Sequence, residues 1–147
     1  MANLTYSERG LALTRQFEGL RLESYQDQRG IWTIGYGHTG PTVHEGLRIT
    51  EAEAEILLTS DVVRAAAAVN RLVTAQVTQN QFDALVDFAY NLGCATLMHS
   101  TLLRLINAGE FAEAASEFPR WNHSGNRPIP GLLRRRRAEM ELFNLNA

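Results

Sequence analysis

Apolar side chains recur at intervals of three and four along most of the chain, which predicts a mostly helical protein. Leu13, Phe17 and Leu20 follow this spacing after Thr5, Ala54, Leu57, Leu58, Val62 and Ala65 after Thr50, and Phe82, Leu85, Val86 and Ala89 after Thr78. Each segment opens with a hydroxyl residue followed three positions later by Glu or Gln, in the pairs Thr5/Glu8, Thr50/Glu53 and Thr78/Gln81. That is the signature of a helix N-terminus closed by a capping box. Further helices are predicted over Thr101 to Asn107, Glu110 to Phe118 and Leu132 to Leu142, with Gly93 and Gly109 as left-handed stops.

Between about Leu20 and Gly46 the texture changes. Gly30, Gly35, Gly37, Gly40 and Gly46 interleave with Tyr25, Ile31, Trp32, Ile34 and Tyr36, which reads as a short β-hairpin region. The expected architecture is α+β: a small β-hairpin lobe, and a larger helical lobe over about 50–147 joined by the N-terminal helix, with a cleft between them. No repeat or linker interrupts the chain, so residues 1–147 are expected to form one domain. Its 147 residues, 45% of them apolar, suffice for a core without disulfides or a structural metal.

Charge and cysteine content narrow the function classes. The net charge of −2 provides no field for nucleic-acid binding. All 14 basic residues are arginine, four of them in the run Arg134 to Arg137. Consecutive helical residues point to all sides, so that run cannot form one cationic face. Leu133, Met140 and Phe143 define a stripe on which Arg136 or Arg137 must intrude and reach toward a polar partner such as Glu18. The single Cys94 excludes an internal disulfide and reads as a small buried hydrophobe. No apolar run is long enough for a transmembrane helix. Met1 to Gly10 lacks the pattern of a secretory signal, so stable membrane insertion is not expected and the protein is expected to start in the cytoplasm.

Groups capable of acid–base work concentrate between the first helix and the hairpin: Glu18, Glu23, Asp27, Thr33 and His38. Glu18 lies one helical step from Phe17 and borders the apolar stripe, where partial desolvation favours the neutral acid. Asp27 sits in the turn-like Gln26-Asp27-Gln28-Arg29-Gly30, where a carboxylate stays ionised. Two carboxyls in diverging environments suit glycosidic hydrolysis, one protonating the leaving oxygen and the other handling water. Thr33, six residues beyond Asp27, can hold that water. Most Glu and Asp pairs near one turn are solvated surface charges, and these residues alone leave both readings open.

The spacing Glu18, eight residues, Asp27, five residues, Thr33 resembles the catalytic triad of the phage lysozymes. So do Phe17-Glu18-Gly19-Leu20-Arg21, Tyr25-Gln26-Asp27, and the run from Gly30 to His38. Gln79 to Leu85 with Tyr90-Asn91-Leu92-Gly93 is similar to the family's central helix. Trp121 with Gly131 to Arg137 and Glu139 is similar to the C-terminal element of lambdoid endolysins. The similarity runs from about Thr5 to Phe143 and points to glycoside hydrolase family twenty-four. It implies a lysozyme-like fold and hydrolysis of the β-1,4 bond between N-acetylmuramic acid and N-acetylglucosamine in peptidoglycan, with inversion and no cofactor. It assigns Glu18 as general acid, with Asp27 and Thr33 holding the attacking water. With the missing secretory signal, the expectation is an endolysin that waits in the host cytoplasm, reaches the wall through a holin-like protein and lyses the cell, with a monomer as the default state.

The resemblance further suggests a structural pair between His38 and Asp61, and favours Arg127, after Trp121, as the partner of Glu18. None of His38, His44, His99 and His123 forms a metal-ligand pattern with a neighbour, which argues against a zinc amidase. Trp32, Tyr36 and Trp121 read as core residues. Gln26, Gln81, Asn91 and Asn122 read as hydrated amides, so no substrate-binding residue is assigned. The alternative is a lysozyme-like scaffold or binding domain without hydrolytic activity. A lytic transglycosylase is a further rival, distinguished by 1,6-anhydro products.

Overall fold

The computed structural model describes residues 3–145. Helix α1 (Glu8–Glu18) leads into a three-stranded antiparallel sheet of β1 (Arg21–Gln26), β2 (Trp32–Gly35) and β3 (His38–Thr39). The long helix α2 (Glu51–Leu72) then joins this sheet to a helical assembly. That assembly comprises α3 (Gln79–Leu92), α4 (Cys94–Met98), α5 (Thr101–Asn107), α6 (Phe111–Ala115) and α7 (Pro130–Asn144), with a 3-10 turn over Phe118–Arg120. A two-residue hairpin, β4 (His123–Ser124) with β5 (Arg127–Pro128), precedes α7. The architecture is α+β, as the hydrophobic pattern predicts.

Two of the three predicted capping boxes form. Thr50 and Thr78 each accept from the backbone N–H three residues on, while Glu53 and Gln81 reach back to the cap's own N–H. The first does not: α1 is capped by Ser7, whose hydroxyl accepts from the Gly10 N–H at 3.3 Å. Tertiary contact decides this, because Ser7 is held by Asp83 of α3 through both its backbone N–H and its hydroxyl. The helix predicted over Glu110 to Phe118 is shorter, running from Phe111 to Ala115 before the 3-10 turn. Helix α7 is longer than predicted, since Pro130 at its first position needs no N–H partner. Cys94 opens α4 and is half-buried.

Helix α2 belongs to both halves. Its first half places Ala54, Leu58 and Val62 against Tyr36 beneath the sheet. Its second half sends Ala65, Ala66 and Val69 into the main core with Phe82, Leu85, Phe88, Leu102, Ile106 and Phe118. Helix α3 is the centre of that core: every residue from Phe82 to Ala89 is buried, including Asp83 and Asp87. Helices α1, α2 and α7 all pack on α3, so a charge in its middle must find a partner on one of them.

Candidate active site

Glu18 is the last residue of α1, and Gly19 at φ 71° turns the chain out of the helix and into β1. The carboxyl is thereby left at the junction between helix and sheet. Its side chain is 19% exposed, and Oε2 accepts a hydrogen bond from Nη1 of Arg135 at 2.7 Å. The other oxygen, Oε1, lies against Gly37: a Cβ at that position would stand 2.5 Å from it. Gly37 also has φ 84°, a conformation that L side chains rarely adopt. The glycine therefore serves both the backbone turn and the room for Glu18.

Asp27 directly follows β1 and organises the turn after it. Its Oδ1 accepts from the N–H groups of Arg29 at 2.8 Å and Ile31 at 2.9 Å, while Gly30 N–H donates to the Asp27 carbonyl oxygen at 2.9 Å. Those backbone bonds, the Ile31 one foremost, outweigh desolvation and with Arg29 hold the Asp27 carboxyl below its ordinary range. Its Oδ2 has only the exposed Arg29 guanidinium, at 3.4 Å. Thr33 stands in β2, with its Cα paired to Tyr25 on one side and Thr39 on the other. It is buried, and its hydroxyl donates to the Ile31 carbonyl oxygen at 2.9 Å.

Glu18, Asp27 and Thr33 line one cleft of about 810 Å³ between the sheet, α2 and α3. His38 lies in its wall and brings Nδ1 to 2.7 Å from Oδ2 of Asp61, tying β3 to α2. Tyr90 of α3 donates its hydroxyl to the Tyr36 carbonyl oxygen at 2.8 Å and so anchors the turn that contains Gly37. Burial, followed by the charges of Glu18 and Asp61, pushes the Tyr90 phenol well up. Arg29, Arg64, Ser60 and Asn91 complete much of the polar wall.

The arginine partner of Glu18 differs from the one expected. Arg127 lies exposed in the β4–β5 hairpin and takes no part in the cleft. Nor is it Arg136 or Arg137: Arg137 is exposed, and Arg136 is fully buried, with its guanidinium on Asn91, Glu139 and the Phe88 ring. Arg135 reaches Glu18 because Arg135, Glu139 and Leu142 follow one another at helical spacing on the buried side of α7. Trp121 meets Phe88 edge-on at 5.7 Å and is packed against the core. The sequence motifs include Tyr25, Tyr90 and Arg135 without a role at the site, and Asp87 belongs to none of them. The available signal was a charged Asp87 between Val86 and Phe88 in an otherwise apolar run, facing an arginine-rich last helix.

The family model described as Phage lysozyme matches residues 15–139. The chain is 42% identical over 141 residues to an endolysin of Acyrthosiphon pisum secondary endosymbiont phage 1, covering 93% of this chain and 96% of that one. It is 46% identical over 142 residues to an endolysin of Bacillus phage B103, covering 95% of this chain but spanning only 54% of that relative's length. Among solved structures, the muramidase domain of SpmX from Asticaccaulis excentricus superposes with a TM-score of 0.91 at 40% identity, over 97% of this chain and 99% of that one. The matched segment contains Glu18, Asp27, Thr33, Asp87 and Arg135, and the whole cleft is built within it. The chain belongs to the phage lysozyme family, the glycoside hydrolases that cleave bacterial peptidoglycan.

Proposed function

We propose that the chain is an inverting muramidase that cuts the β-1,4 bond between N-acetylmuramic acid and N-acetylglucosamine, with Glu18 as general acid and Asp27 and Thr33 as the water holders. The observation that carries this is that all three residues line one polar cleft, with Glu18 at the end of α1 and Asp27 in the turn between β1 and β2. Their environments suit different tasks. Glu18 is half-enclosed at the helix end, while Asp27 is held ionised by its turn.

The water step follows from the hydrogen bonds already committed. Asp27 uses Oδ1 for its own turn, which leaves Oδ2 to accept a proton from water. Thr33 spends its hydroxyl proton on the Ile31 carbonyl, so its oxygen meets water as an acceptor. A water donating to both has its lone pair directed at the anomeric carbon. As that carbon is attacked, Glu18 gives its proton to the departing glycosidic oxygen and Asp27 takes one from the water. The product then carries the opposite anomeric configuration.

The endolysin names of the relatives support the same reading for the site of action. The enzyme waits on the cytoplasmic side as a monomer and reaches the wall when a holin-like protein opens the membrane. Residues 1–147 act as one domain in this reading.

The test is turbidity loss of outer-membrane-stripped Gram-negative walls with wild type beside Glu18→Gln, followed by analysis of the new ends. Clearing by wild type alone, with reducing muramic acid released first as the α-anomer, is the expected result. Clearing by both proteins would remove Glu18 from its role. 1,6-Anhydromuramic ends would make the enzyme a transglycosylase, and no clearing by folded wild type would leave a binding domain. Lysis of expressing cells only when a holin-like protein is coexpressed checks the route to the wall.

A further inference from the structure

Arg135 is the centre of the network behind Glu18. That side chain is 5% exposed and presents three nitrogens to two carboxylates. Nε donates to Oδ2 of Asp87 at 2.9 Å and Nη2 to Oδ1 at 2.8 Å, while Nη1 donates to Glu18 at 2.7 Å. Asp87 is itself fixed from α1, where the Thr14 hydroxyl donates to its Oδ1 at 2.8 Å. Behind Thr14, at 2.8 Å, stands the Tyr6 hydroxyl, which donates to the Gly10 carbonyl oxygen at 2.8 Å. Gly10 leaves the space for that ring, since a Cβ there would run into it.

We propose that Asp87 is the positioning residue of this site: by clamping one edge of the Arg135 guanidinium it aims Nη1 at Glu18 and offsets the arginine's charge, so that Glu18 can still carry a proton. The first half follows from geometry. A guanidinium is a rigid plane, so fixing Nε and Nη2 fixes the direction of Nη1. The second half resolves a conflict in the site. A general acid must be protonated, yet a cation at hydrogen-bond distance favours its carboxylate. Asp87 makes two bonds to Arg135 where Glu18 makes one, and does so out of solvent, so most of the arginine's charge is answered behind the cleft.

The other titratable groups facing this network come from every surrounding element. They are Tyr25 of β1, Asp61 of α2, Tyr90 and Asp83 of α3, Tyr6 ahead of α1, and Arg136 and Glu139 of α7. None of them clamps Arg135 as Asp87 does, and the burial of Asp87 leaves it out of reach of substrate.

This inference rests on Glu18 being the acid, and Glu18→Gln run alongside shows whether that holds. The test is Asp87→Asn, with kcat and KM measured on stripped walls across the pH range and thermal unfolding followed in parallel. The amide opposes N–H to N–H across Arg135 and removes the compensating charge. The expected result is a kcat about tenfold lower at neutral pH with KM nearly unchanged. The alkaline limb of the pH–rate profile should move down by about one pH unit. An alkaline limb left in place overturns the proposal, whatever happens to Tm. If Asp87→Asn does not fold, Thr14→Val carries the test, because it removes one of the bonds that hold Asp87 on Arg135. A smaller shift in the same direction supports the proposal, and an unmoved limb again overturns it. If Glu18→Gln keeps wild-type turnover, the acid assignment fails and this inference falls with it.

Discussion

Arg135 donates to Glu18 at 2.7 Å across 117 positions of sequence, joining the end of the first helix to the last. The contact ties three helices together: α1 carries Glu18, α7 the cation, and α3 the Asp87 carboxylate that holds that cation. The placement of the Glu18 carboxyl therefore depends on how three helices pack.

Asp27→Asn separates chemistry from structure. The amide keeps an oxygen able to accept from the Arg29 and Ile31 N–H groups, so the turn should survive. What is lost, in the proposed mechanism, is the base that takes a proton from water. We expect kcat to fall by about 10²-fold or more with an unchanged Tm. A variant with wild-type kcat would remove Asp27 from the water step.

Gly37→Ala tests the space beside Glu18. The added methyl stands 2.5 Å from Oε1 and must hold a φ of 84°, so either the turn or the carboxyl moves. The backbone strain alone is worth about 1 kcal/mol or more. Activity should fall further than stability does if Glu18 is the proposed acid, because displacement of a reacting group by about 1 Å is costly in rate. Equal activity per folded molecule would show that Glu18 tolerates the shift.

Glu139→Gln carries a pH-dependent prediction with a definite sign. Burial first, and then its hydrogen bond to Asp87, hold the Glu139 carboxyl well above its ordinary 4.5. The folded chain keeps a proton there that the unfolded chain releases, so wild-type stability declines as pH rises past that value. Glutamine preserves a donor for Asp87 and an acceptor for Arg136 without a proton to lose. The variant should melt higher than wild type at neutral pH by a few degrees, about 2–4 °C per kcal/mol, and the difference should close below about pH 4.5. A lower Tm at neutral pH would show that the buried carboxylate is ionised against Arg136.

The helix caps distinguish sequence signature from structure. Thr50→Ala and Thr78→Ala each remove a side chain that accepts from the helix N–H, at a cost of about 1 kcal/mol. Thr5→Ala should cost much less, because Ser7 caps α1. Comparable losses at Thr5 and Thr50, measured by urea unfolding, would contradict the Ser7 cap.

Local patterns carried what depends on a few neighbouring residues. The helix periodicity, the boxes at Thr50 and Thr78, the glycine stops at Gly93 and Gly109, and the α+β division are all written within a turn or two of chain. The cleft residues Glu18, Asp27 and Thr33 were singled out by the resemblance of their spacing to the phage lysozymes, a spacing that is local because one helix end and one hairpin carry all three. Only the tertiary structure selected Arg135 over Arg127 and Arg136, moved the first cap from Thr5 to Ser7, and gave Asp87 its place. Each of those choices is made by a partner on another helix, Glu18 and Asp87 for Arg135 and Asp83 for Ser7. A buried charge takes the partner that packing brings within hydrogen-bond distance, and spacing along the chain does not contain that distance.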